Sequence, residues 1–591
     1  MRRLLLAGAA TLALAMVGWT LAASAAALAM AGLWDHPRFA AGPDWAWSWW
    51  SYAFDQRLRA AMAGPLWAGA IAGLLAPALL ARIAWMQRDR LGPLLRHTWA
   101  PRRGATANHG AASWMDMAEA QQRFPGPDPE LGGVVVGEAA RLDLGEVPGA
   151  APLLVDPCRE GPTHSLVLAG SGAFKTTSLV TTLLTWRRSR VVMDPSTELG
   201  PMLEEALSDQ GQRVVQLRIG GAEGFNVLAA IDTADPLAEM KVRAVAHRVV
   251  GPLPARADDN AQRWKAAGRD IVTALLAHMM WDDTLPPAEK TLRRLRRGVA
   301  QPEPVLRDVL AGIHATSRSP MARDVAGTLM NLVPETFSGA YFNATGDTAW
   351  LSADAYADLV SGDVFDARDL AGGRLSVFLQ VPLDALKETP AVARVLVGSL
   401  IDAVVAADGA VQGRVLFAID EAVLLGPLAA LQVARDQGRK YRITLQLFYQ
   451  SEGQVEEVWG RPGRESWFDG VSWRAYGGVQ SLATARDLST ALGTYGAVAV
   501  SRGSNSGRSA RGLEFGTHSR GANVNEHEIS RELAKPFEVL QEIERDERIV
   551  LVPGDRPLRC AAAVYFRRPE LRSLVAGNRF APDAAPAGWA A

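Results

Sequence analysis

Residues 165–180 read SLVLAGSGAFKTTSLV. The opening SLVLA has the length and apolar content of a buried strand. It runs into the small-residue turn Gly170-Ser171-Gly172-Ala173-Phe174, and Lys175-Thr176-Thr177 opens a helical stretch. A strand, a glycine-rich turn and a helix N-terminus in that order form a phosphate loop. Its backbone N–H groups wrap phosphates, its Lys reaches the outer phosphates and its Ser or Thr hydroxyl ligates Mg2+. Against the pattern GxxxxGK[ST], Ala169 replaces the first glycine and Phe174 the second. The second change is the more serious, because a left-handed backbone costs a bulky residue about 1 kcal/mol or more. The stretch by itself leaves two readings. One is a nucleotide site made by Gly170, Ser171, Gly172, Ala173, Phe174, Lys175, Thr176 and Thr177; the other is a glycine-rich strand–helix turn without chemistry.

Outward from this stretch, short apolar runs alternate with helical ones. RVVMD (190–194), RVVQLRI (213–219), LSVFLQV (375–381), RVLFAID (414–420) and ITLQLFY (443–449) are further strand candidates. Nearly continuous apolar strands separated by helices predict a parallel sheet covered on both faces, hence an α/β domain. Residues 235–345 interrupt it with a helical pattern throughout, an all-α insertion. Two strand ends add chemistry. RVLFAIDEA ends in Asp420-Glu421, a pair that in phosphate-loop ATPases orients Mg2+ through the Asp and polarises the attacking water through the Glu. ITLQLFYQS ends in Gln450, which reads either as a contact to the terminal phosphate or as an ordinary strand-end cap.

The chain has 591 residues, too many for one compact domain. A net charge of −1 gives no bulk attraction to nucleic acid, so any such surface is local. Only Cys158 and Cys560 are present, which suggests neither a metal site nor a disulfide framework. After Arg2 and Arg3 no charge appears until Asp35, and 60–81 is a second uncharged stretch. Each exceeds the roughly 20 residues that cross a bilayer core as a helix. Trp45, Trp47, Trp49, Trp50 and Tyr52 lie between them, while Arg82, Arg88, Arg90, Arg96, Arg102 and Arg103 follow. These features predict two transmembrane helices (about 4–31 and 60–86), a Trp-rich external loop and a cytoplasmic bulk. A cleaved signal peptide ending near Ala23-Ser24-Ala25 is the rival for the first segment. The run KTLRRLRR (290–297) reads as a solvated helix face or as a DNA-phosphate contact. The Ser/Gly/Arg/Asn-rich 501–525 reads as a mobile loop. RIVLVPGDRPLRCAAAVYF (548–566) reads as a hairpin turning at Pro553–Pro557.

These elements together resemble the TraG-type coupling proteins of bacterial conjugation and type IV secretion. HGAASW (109–114), MDPSTE (193–198), GFNVLAAID (224–232), FLQVPLDAL (378–386), the DEA and YQS motifs and VLVPGDRPLRCAAAVYF (550–566) correspond to that family's motifs in order. The resemblance spans about 100–570. GSGAFKTTS (170–178) is similar to the phosphate loop of the Ti-plasmid branch, so Phe174 looks like a branch feature. Ser196-Thr197 departs from the wider family, which has Lys-Gly there.

The resemblance implies a RecA-like P-loop ATPase domain carrying the all-α insertion, anchored in the bacterial inner membrane as a multi-pass protein and assembled as a homo-hexamer. The implied division is a membrane anchor (1–103), two parts of the nucleotide-binding domain (104–234 and 346–570), the all-α domain (235–345) and a flexible C-terminal tail (571–591). ATP and Mg2+ are the implied cofactors. The implied partners are a relaxase–single-stranded DNA complex, the channel proteins of a type IV secretion system and the lipid bilayer. Lys175 and Thr176 would hold phosphate and Mg2+, Asp420 the Mg2+ shell, Glu421 would be the catalytic carboxylate and Gln450 would sense the terminal phosphate. Arg439 matches a basic position that reaches a neighbour's nucleotide, with Arg442 as its rival and surface ion pairing as the alternative for both. Two other functions fit the same chain: a non-hydrolysing substrate receptor of the channel, and a chromosome translocase of the FtsK kind.

Overall fold

The computed structural model describes residues 2–33, 43–86, 102–253, 258–509 and 517–579. They form two compact units, Met1–Arg102 and Arg103–Ala591.

The first unit contains two long helices, α1 (Arg2–Met30) and α2 (Ala63–Met86), where the apolar stretches predict membrane spans. Among the described residues, however, no helix is long and apolar enough to cross a membrane. The agreement therefore stops at position and helical form. The helices pack closely because of small residues: a Cβ at Gly69 would lie 2.4 Å from the Ala23 carbonyl oxygen. The Trp-rich segment folds back on this pair rather than standing free. Trp49 Nε1 donates to Leu66 O (2.9 Å) and Trp50 Nε1 to Thr20 Oγ1 (3.2 Å), each indole N–H finding an acceptor as its ring packs.

The second unit is built on a sheet of eleven strands. Its strands are β1 (Val134–Glu138), β2 (Leu153–Asp156), β3 (Ser165–Ala169), β4 (Arg190–Met193), β5 (Arg213–Arg218) and β6 (Leu375–Gln380). The rest are β7 (Val415–Ile419), β8 (Ile443–Tyr449), β9 (Trp473–Gly477), β12 (Glu547–Leu551) and β13 (Leu558–Ala561). The spatial order is β2-β1-β13-β12-β9-β3-β8-β7-β4-β6-β5. From β9 to β5 every pairing is parallel, and from β9 outward to β2 every pairing is antiparallel. The central strands β3, β7 and β8 are buried at every residue, as a sheet covered on both faces demands.

Between β5 and β6 the described chain is helical, from Ala238–Val250 to Asp354–Leu359, with no strand. The run KTLRRLRR lies in this region and is largely used up internally. Arg293 pairs with Asp354 and Asp358, Arg294 with Glu289 (2.7 Å), and Arg296 donates to Ser352 Oγ (2.7 Å) and Thr345 O (2.8 Å). The structure thus favours structural ion pairing over phosphate contact for these three.

Two expectations are corrected. The expected mobile loop at 501–525 is mostly a two-stranded antiparallel ribbon, β10 (Thr494–Ser509) with β11 (Thr517–Glu532), in unbroken register from Thr494↔Glu532 to Ser509↔Thr517. Ser, Gly and Asn have poor strand propensity, so the composition conceals a ladder that backbone hydrogen bonds form. The expected flexible tail is docked as far as it is described. After a short helix (Pro569–Arg572), Ala576 N donates to Met202 O (3.0 Å), Asn578 Nδ2 to Glu198 Oε2 (2.8 Å) and Arg579 to Ser196 O (3.0 Å). Residues 580–591 lie outside the described residues.

Candidate active site

Parallel strands all end on one edge, and ligands of open α/β sheets bind beyond that edge. Here β3 lies between β8 and β9, and β7 lies beside β8. The residues that follow β3, β7 and β8 are therefore neighbours: the 170–174 turn, Asp420-Glu421 and Gln450.

The turn is a cradle. The N–H of Gly170 donates to Gly477 O (3.3 Å) and that of Ala173 to Gly170 O (3.3 Å). The N–H groups of Ser171, Gly172 and Phe174 have no partner among the described residues. Helix α3 (Lys175–Thr185) begins at its edge, adding the unpaired N–H groups of a first turn. Gly478, after β9, backs the turn with φ +56, and a Cβ there would press to 2.9 Å from the Ala173 Cβ.

Phe174 does take up the left-handed backbone (φ 54, ψ 34) that the motif reserves for glycine. Its ring packs against Phe566 (centroids 6.3 Å apart), and the Arg567 guanidinium lies 5.1 Å from the ring centre. Arg567 is itself held by Asp546 at 2.6 Å. Thr177 Oγ1 donates to Phe174 O (3.1 Å), so it supports the turn rather than facing a ligand.

The charged groups meet as follows. Lys175 Nζ lies 3.1 Å from Glu421 Oε1. Thr176 Oγ1 donates to Asp420 Oδ2 (3.2 Å). Gln450 Nε2 donates to both Glu421 oxygens (3.2 and 3.3 Å). Asp420 is buried, and among the described residues its Oδ1 has no hydrogen-bond partner. Burial pushes its carboxyl up to about 6, against the pull of Lys175, and the Glu421 charge adds to the rise. Glu421 sits at φ 56, a second left-handed residue at this edge. A buried carboxylate with an orphaned oxygen beside a Thr hydroxyl fits a Mg2+ held partly by phosphate oxygens. Among the described residues no group of three or more His, Cys, Asp or Glu could hold a metal unaided.

Asp194, at the end of β4, plays a structural part. Its Oδ2 accepts from Leu199 N (2.9 Å) at the start of helix α4 (Leu199–Asp209) and from Gln380 Nε2 (3.2 Å), while Ser196 Oγ donates to Oδ1 (2.8 Å). Thr197 adopts φ 57, so the departure from Lys-Gly places a β-branched residue where a glycine would be unstrained.

Arg439 and Arg442 are not brought to this cluster. Both are exposed and precede β8, whereas Gln450 follows it. Seven strand residues, about 23 Å, separate the two ends. Sequence reasoning missed the place of Phe566, Arg567 and Arg545 at this turn: Phe566 closes the 550–566 motif without any sign of what it touches, and Arg567 and Arg545 lie in no motif. They reach the turn because β12 is antiparallel to β9 and β13 to β12, so the residues before β12 and after β13 share the edge where β3 ends.

The chain is similar to known proteins over most of its length. The family described as "Type IV secretory system Conjugative DNA transfer" matches residues 113–587. The chain is 38% identical over 496 residues to the type IV secretion system-coupling protein VirD4 of Bartonella quintana (strain Toulouse), covering 80% of this chain and 76% of that protein. It is 37% identical over 506 residues to the conjugal transfer protein TraG of Rhizobium radiobacter, covering 82% and 77%. Among solved structures, the conjugative coupling protein TrwBdeltaN70 in complex with sulphate shares the fold, with a TM-score of 0.55, 16% identity and coverage of 78% of this chain and 97% of that one. TrwB in complex with ADP and Mg2+ matches with a TM-score of 0.50 at 16% identity, over 70% and 87%.

Proposed function

The chain belongs to the type IV secretory system conjugative DNA transfer family, and on that premise we propose that it is a coupling ATPase driving a relaxase–single-stranded DNA complex into a secretion channel. The observation that supports this most directly is the meeting of Lys175, Thr176, Asp420, Glu421 and Gln450 within 3.1–3.3 Å contacts. In this reading the turn N–H groups and Lys175 bind the phosphates of ATP. Thr176 and Asp420 would hold Mg2+, and the ion would supply positive charge against that which builds on the phosphates during transfer. Lys175 exchanges its pairing with Glu421 for phosphate oxygens. Glu421, still held by Gln450, then accepts the proton of the attacking water. Arg439, exposed at the far end of β8, acts on a neighbouring protomer's nucleotide in a homo-hexamer. The uncharged sequence at about 4–31 and 60–86 supports a multi-pass anchor in the inner membrane, although no helix among the described residues is long and apolar enough to span it.

Lys175→Ala tests the reading. The variant is expected to unfold at the wild-type temperature, since its one ion pair is only partly buried, yet to lose nucleotide binding, ATP turnover and DNA transfer. Normal transfer by this variant would refute the proposal. DNA-stimulated turnover by the wild type, lost in Glu421→Gln, separates the ATPase from a receptor that only gathers cargo.

A further inference from the structure

Arg545 is placed beside the phosphate turn by the antiparallel extension of the sheet. A Cβ at Gly172 would lie 4.0 Å from Arg545 Nη1. Gly172 is the midpoint of the turn and adopts φ +76, so the guanidinium stands beside a turn whose Ser171, Gly172 and Phe174 N–H groups have no partner among the described residues. Arg545 is exposed. Among the described residues it has no ion-pair or hydrogen-bond partner. The neighbouring carboxylate of Asp546 is held by Arg567 (2.6 Å). Arg567 stacks on Phe174 and is neutralised, whereas Arg545 is a free cation at the same edge.

A guanidinium presents a planar fork that matches phosphate oxygens and stays charged at any physiological pH. We propose that Arg545 is a phosphate-binding residue of its own protomer's nucleotide site, reaching the phosphates from beside Gly172. The inference rests on the nucleotide reading above and adds to it a second cation that no motif marks. It lies in the segment 542–546, between the short helix Pro536–Gln541 and β12.

The test is nucleotide binding to the full-length protein, measured with ATP and ADP by calorimetry and by the nucleotide-induced rise in Tm. Arg545→Ala is expected to keep the nucleotide-free Tm, because no partner is lost. It is expected to weaken binding about tenfold, the effect of one charge-assisted contact, and Arg545→Lys to recover part of the loss. Wild-type affinity and an unchanged nucleotide-induced Tm rise in Arg545→Ala would overturn the proposal. A drop in nucleotide-free Tm that Arg545→Lys does not repair would also overturn it, by showing a structural role. Lys175→Ala is the control: if the wild type and Lys175→Ala bind equally poorly, the nucleotide site itself is refuted; if only Arg545→Ala behaves as wild type, this inference alone fails.

Discussion

Phe174 carries the sharpest conflict between local preference and observed backbone. A left-handed conformation costs an L-residue roughly 1–2 kcal/mol, and the ring contact with the Arg567 guanidinium returns about 0.5–1 kcal/mol. Phe174→Gly removes both terms, so its stability is expected within about 1 kcal/mol of wild type. Phe174→Ala keeps the strained backbone and loses the ring, and is expected to be less stable than Phe174→Gly by about 1 kcal/mol. Denaturant midpoints of the two variants decide this; equal midpoints would show that strain at 174 is absent. The motif made this residue visible in the sequence, but whether it was damage or design depended on Phe566 and Arg567, nearly 400 residues away.

Individual strands were legible from composition, and their pairing was not. The six predicted strands fall at their predicted places because fully buried strands are continuous apolar runs. Beside the backbone ladder that joins β3 to β8, a side chain just before β3 adds a further tie. Buried His164 accepts from Leu445 N through Nδ1 (3.1 Å), which requires the neutral ring. Burial holds its pKa at about 4, with the nearby Arg414 charge acting the same way and Asp436 opposing. The folded value lies below the ordinary 6.5, so the unfolded chain binds the proton first as pH falls. The stability held by the neutral ring is intact above about pH 6.5 and is lost progressively down to about pH 4. His164→Asn, which keeps an acceptor without titrating, is expected to flatten that slope in denaturation experiments. His247, also lowered to about 4 by burial, leaves a remainder. An unchanged slope in His164→Asn would refute the assignment. The β10–β11 ribbon was missed for the opposite reason: its ladder is made of backbone groups, and its side chains carry no alternation that marks it.

On the scale of the whole molecule, the division at Arg102–Arg103 is the boundary with consequences. The second unit has its own sheet and its own core, so a fragment of 103–591 is expected to unfold cooperatively and to bind nucleotide as the full chain does. A broad, non-cooperative transition of that fragment would contradict an independent unit. The same unit explains why the sheet is mixed. Its parallel half supplies the edge at which the chemistry gathers, and its antiparallel half returns the C-terminal chain to that edge.

Sequence alone determined six strands of the parallel half, the helical stretch between β5 and β6, the glycine-rich strand–turn–helix at 165–185 and the Asp-Glu pair, because each is set by local periodicity or by residues adjacent in the chain. It also identified the family, because those motifs recur in one order. Only the tertiary structure decided which residues meet. Strand order brings Asp420, Glu421 and Gln450 to Lys175 and Thr176, leaves Arg439 at the opposite edge, and sets Arg545 beside Gly172. None of these neighbours is close in sequence, and the register that joins them comes from long-range pairing that no local pattern encodes.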